Sequence, residues 1–171
     1  MKSQFKKTIT LFIFCFIFCK SLSQEKISVM IAQDLKLAVI GDDKHNYDAF
    51  TTDAVFRLKM AGKQQKWGYM TIFPELEYAD LRPKYWRYSV NVGYTFNKMI
   101  VDIMPYVSYG KIVRSNTSAT SIGGGLEIGY NINRTFKIVA QCQLNERSDL
   151  KVMYDDSSLK ISNFVGLEFI F

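Results

Sequence analysis

The stretch Ile161-Ser162-Asn163-Phe164-Val165-Gly166-Leu167-Glu168-Phe169-Ile170-Phe171 decides the fold. Phe171, Phe169, Leu167, Val165 and Ile161 fall on one face of an extended chain. Ile170, Glu168, Gly166, Phe164 and Ser162 fall on the other. A two-residue period with unlike faces is the mark of a β-strand. Termini of soluble domains usually fray into water, so a strand that finishes on bare aromatic side chains is unusual for one.

Working back, eight alternating segments emerge, near 26–38, 50–60, 67–78, 86–96, 99–109, 120–130, 135–145 and 159–171. Each matches or slightly exceeds the ~9–11 residues of a tilted transmembrane strand. The fourth is the cleanest. Trp86, Tyr88, Val90, Val92, Tyr94 and Phe96 oppose Arg87, Ser89, Asn91, Gly93 and Thr95. In the seventh, Phe136, Ile138, Ala140, Cys142 and Leu144 point outward, and Lys137, Val139, Gln141 and Gln143 inward. The predicted connections alternate in length: 61–66, 97–98 and 131–134 are short, and 39–49, 79–85, 110–119 and 146–158 are longer. Pro74 and Pro105 fall inside strands, where each removes a ladder hydrogen bond, so a local bulge is expected at both.

The other end of the chain predicts export. Residues 1–23 carry Lys2, Lys6 and Lys7 ahead of an apolar run from Thr8 to Cys19, with small residues at Ser21 and Ser23. This is the pattern of a secretory signal peptide, leaving 24–171 as one domain. The chain has 22 basic and 16 acidic residues. Losing Lys2, Lys6, Lys7 and Lys20 leaves 18 basic residues and a net charge of +2. The basic balance is thus mostly a targeting feature and gives no case for nucleic-acid binding. Cys142 would remain alone, without an intramolecular disulfide. No apolar run in 24–171 is long enough for a transmembrane helix, so a membrane-spanning structure must be a closed barrel.

The inward faces carry both signs of charge. The acids are Asp34, Asp53, Glu75, Glu77, Asp102, Glu127 and Glu168. The bases are Lys26, Lys36, Arg57, Lys59, Arg87, Lys137 and Lys160. An eight-stranded barrel is only wide enough for side chains to fill. Buried charges must then pair, which predicts an ion-pair network and a polar plug in place of an open pore.

The terminal strand, the alternating loops and the polar lumen together resemble the small outer-membrane β-barrel family, the OmpA-type membrane domain and OmpX-type barrels. The resemblance implies an all-β, eight-stranded antiparallel up-and-down barrel in the bacterial outer membrane. It also implies that Phe169 and Phe171 form the signal read by the barrel assembly machinery, and that the outward aromatics form interfacial girdles. The expected partners are outer-membrane lipid, that machinery and a surface ligand held by the long loops.

Chemistry is weakly signalled. The acidic loop around His45 (Asp42, Asp43, Asp48) lacks the Gly turn and distal Glu of an EF-hand, so no metal is predicted. Gly123-Gly124-Gly125 lacks the strand-to-helix context of a phosphate loop, and no cofactor is predicted. The expected role is non-enzymatic, either envelope integrity or surface interaction. One alternative is a lipid-modifying enzyme using His45 as base with Ser115, Ser118 or Ser157 as nucleophile. Another is a soluble periplasmic barrel binding an apolar ligand.

Overall fold

The computed structural model describes residues 26–42, 47–115, 117–150 and 158–171. The expected leader, 1–23, lies outside the described residues, as do His45 and Ser157. Eight strands follow in order: β1 (Lys26–Asp34), β2 (Asp53–Ala61), β3 (Gly68–Ala79), β4 (Tyr85–Phe96), β5 (Asp102–Arg114), β6 (Thr117–Asn131), β7 (Phe136–Glu146) and β8 (Leu159–Ile170). One helical turn, α1 (Leu35–Val39), follows β1. Each strand pairs antiparallel with the next, and β8 returns to β1, so the sheet closes into the barrel that the alternation predicts.

Burial follows the two-residue period. Outward Val107, Tyr109 and Ile161 are each more than 60% exposed, whereas inward Asp53, Arg57 and Arg87 are fully buried. The barrel is therefore apolar outside and largely ionic inside, the reverse of a soluble sheet packed on a core. The lumen is not wholly polar. Met30, Ala32, Val55, Val139 and Phe164 cluster on one wall, and Phe73, Met104 and Tyr106 on the facing one.

The structure departs from expectation in three main respects. β1 stops at Asp34, because the Asp34 carboxylate accepts the Leu37 backbone N–H at 2.9 Å and caps α1. Lys36, expected inside the lumen, lies on that helix with a 60% exposed side chain and pairs with Asp42 at 3.0 Å. β5 and β6 run on to Arg114 and back from Thr117, so the long loop expected at 110–119 contracts to residues 115–116. Ser115 makes this tight turn with φ of 51°. The strict alternation of loop lengths fails there, and again where the 80–84 connection, expected to be longer, is shorter than the 62–67 turn.

The third departure concerns the prolines. Among the described residues no bulge shifts the register of any ladder. Pro74 instead leaves a gap between the Arg57↔Glu75 and Met60↔Ile72 pairs, and the register resumes unchanged. Pro105 does the same between Gly93↔Tyr106 and Phe96↔Ile103. Each proline keeps full pairing on its other side, with Val90 and Leu126 respectively. Losing one N–H therefore removes local bonds without adding a residue. Followed round the cylinder, the constant registers accumulate a shear of about ten residues, which for eight strands means a tilt of about 40°.

Candidate functional site: the ionic lumen

At mid-height, Glu75 lies between two arginines. Arg57 Nε donates to Glu75 Oε2 at 2.6 Å, Arg57 Nη1 to Glu127 Oε2 at 2.9 Å, and Arg57 Nη2 to Tyr106 Oη at 3.0 Å. The guanidinium also sits 4.7 Å from the Phe73 and Tyr106 ring centroids, which adds cation–π attraction in a dry setting. Arg87 donates to the other Glu75 oxygen and to Ser108 and Ser121. Both guanidinium groups thus have planar, charge-assisted partners, the condition for burying them without a large desolvation loss.

Toward the short turns, Lys59 bridges Glu127 at 2.5 Å and Glu168 at 2.8 Å. Ser28 Oγ donates to the other Glu168 oxygen. Lys137 pairs with Asp102 at 2.7 Å and approaches Glu168 at 3.9 Å. Below this floor a cavity of about 750 Å³ opens, lined by Tyr69, Thr71, Thr95, Asn97 and the two lysines among others. Its lining also takes in Glu127 and Glu168 of the layer above.

Toward the long loops, a third layer caps the lumen. Tyr85 is stacked between Arg114 at 4.7 Å and Arg147 at 4.2 Å, and its hydroxyl donates to Glu77. Asp149 joins both arginines, at 3.0 Å to each Nε. Leu37, Ala79, Leu81 and Ile112 pack round Tyr85 and exclude water. Burial pushes the Asp149 carboxyl up, but the hydrogen bonds and charge of Arg147, with the charge of Arg114, outweigh it and hold Asp149 below the ordinary range.

Eleven of the fourteen expected lumen residues are buried: Asp34, Asp53, Arg57, Lys59, Glu75, Glu77, Arg87, Asp102, Glu127, Lys137 and Glu168. Lys26 is exposed at the start of β1, Lys160 is half-buried, and Lys36 is on α1. Arg114, Arg147 and Asp149 are buried without having been expected. Arg114 continues the inward parity of Asp102, Met104 and Ser108, so a longer β5 would have found it. The described lumen therefore holds eight buried acids and six bases, in place of the balanced seven and seven. Asp34 is satisfied by the α1 backbone. Among the described residues, neither oxygen of Asp53 finds a hydrogen-bond partner. Ser115 lies in the β5–β6 turn and Ser118 is exposed on β6.

No protein-family model matches the chain, and no curated protein is similar to it in sequence. Solved structures do match. The Yersinia pestis outer membrane protein Ail, in a phospholipid bilayer nanodisc, superposes with a TM-score of 0.56 at 16% identity, over 85% of this chain and 99% of that one. The N-terminal β-barrel domain of Pseudomonas aeruginosa OprF superposes with a TM-score of 0.51 at 13% identity, over 86% and 98%. The fold is that of the small eight-stranded outer-membrane β-barrels.

Proposed function

We propose that the chain is a non-enzymatic barrel of the bacterial outer membrane that supports the envelope and presents its longer loops for surface interaction. The observation that carries this reading is the inverted polarity of a closed barrel, with exposed apolar side chains outside and buried ion pairs within. A closed sheet leaves no free edge, which is what lipid requires. Aromatic pairs on the outer wall, Tyr78 with Trp86 at one end and Phe136 with Phe169 at the other, fit interfacial girdles. The same reading makes residues 1–23 a signal peptide, outer-membrane lipid the surrounding partner, and Phe169 and Phe171 the feature recognised by the assembly machinery. Phe171 fits that last role by extending β8 onto β1, through its N–H to the Ile27 carbonyl at 2.9 Å, while leaving its ring 78% exposed.

The test is fractionation followed by electrophoresis with and without boiling in detergent. The expected result is recovery in the outer membrane and a change of mobility on heating. Recovery in the soluble periplasm without detergent would overturn the reading.

A further inference from the structure

The described ends of the β1–β2 connection carry apolar side chains that no other described residue covers. On α1, Leu37 turns into the lumen cap, while Val39 and Ile40 are 65% and 72% exposed and Leu35 is half exposed. At the far end of the connection, Phe50 is 87% exposed and holds φ at 67°, a conformation a bulky side chain rarely adopts. The two ends belong to one rim. Outward-facing Gln33 donates to the Thr51 carbonyl at 3.0 Å, which fixes the returning chain against the outer end of β1.

The height of that rim is set by β1. Nine residues at ~3.3 Å each, tilted about 40°, climb about 23 Å. The apolar band of such barrels is about 25 Å tall. The exposed residues therefore stand where the band ends and headgroups begin. They continue the outward apolar series of Ile31, and of Leu159 and Ile161 at the outer end of neighbouring β8. On the opposite wall the series is interrupted: above Tyr109 and Ile122 the outward residues are Lys111, Thr120 and Ser118, with Val113 the one apolar side chain among them.

We infer that the two ends of the β1–β2 connection form a membrane-interface anchor, with Leu35, Val39, Ile40 and Phe50 seated among the headgroups and upper acyl chains of the lipid. An apolar helical turn and an exposed aromatic are the side chains that favour this depth. Insertion would also offset the strained backbone of Phe50, which otherwise holds a large ring in water. The inference rests on the membrane-spanning reading above and adds a specific contact to it.

The test uses protein purified from membranes with Cys142→Ala, which removes the exposed native thiol. Single nitroxides replace Val39, Phe50, mid-wall Val107 or loop residue Lys84, in phospholipid vesicles. The expected result is an oxygen-to-nickel-complex accessibility ratio at Val39 and Phe50 several-fold above that at Lys84 and below that at Val107. If Val39 and Phe50 match Lys84 while Val107 reads as lipid, the anchor is overturned and the barrel reading stands. Spin–spin broadening at Val39 between copies would also overturn it, by putting a second copy on the patch. If Val107 itself matches Lys84, the membrane reading fails first.

Discussion

Arg57 and Glu75 are directly opposed across the β2–β3 ladder and meet at 2.5 Å, with neither side chain exposed. Glu75 also serves Arg87, so one carboxylate is shared by two buried guanidinium groups. Glu75→Gln should therefore destabilise by about 3–5 kcal/mol, the cost of stranding buried charge. Adding Arg57→Met to Glu75→Gln should recover part of that loss, because it removes one of the two cations that lose a partner. Urea unfolding in lipid vesicles measures both. Strictly additive losses would contradict the shared-carboxylate arrangement.

Tyr85 separates two kinds of interaction. Tyr85→Phe keeps the ring between Arg114 and Arg147 but loses the hydrogen bond to Glu77. Its expected cost is about 1–2 kcal/mol. Tyr85→Leu also removes both cation–π contacts and should cost a further ~1–2 kcal/mol. Equal losses for the two variants, in the same unfolding experiment, would show that the stacking contributes nothing.

The cap should loosen in acid. Asp149 titrates below the ordinary carboxylate range, so its contribution is complete above the unfolded value of about 4. It is lost as pH falls through the lower folded value. Leu150 N–H, which donates to the Arg147 carbonyl at 2.9 Å, reports this directly. Its hydrogen-exchange protection, corrected for intrinsic rate, should fall at acid pH and be independent of pH in Asp149→Asn.

Gly125 is required by close approach. A Cβ there would stand 2.6 Å from the Tyr106 hydroxyl, which Arg57 uses as a partner. Gly125→Leu should therefore displace Tyr106 and cost about 1–3 kcal/mol by overpacking. Gly62→Ala, whose added Cβ meets only the Met70 carbonyl at 3.6 Å, is the control with little effect.

The strand number and the inward faces were legible because alternation is a property of single residues. Strand ends were not. Leu35-Lys36-Leu37 alternates as well as any strand, and only the Asp34 carboxylate reaching the Leu37 N–H turns it into a helix. Residues 115–119 are small and mostly polar and read as a loop, yet Thr117, Ser118 and Ala119 all pair with β5. Parity also identifies which charges face inward without pairing them. That Lys59 bridges Glu127 and Glu168 depends on the shear, which brings strands far apart in sequence to one height. Arg147 and Asp149 lie past the last alternating residue of β7, where the period carries no information.

The unbroken registers have a consequence for assembly. In a ring, the offsets of all the ladders must sum to the shear of the closed cylinder, so no strand pair slips by itself. A one-residue slip turns a whole strand's charges toward the outside. A two-residue slip keeps the faces but misaligns β8 with β1 at the seam. With no bulge to absorb an extra residue, the Ser28↔Ile170 to Asp34↔Phe164 seam forms only when every earlier pairing is correct. Closure is thus a proofreading step: it rejects misregistered barrels without any separate recognition event.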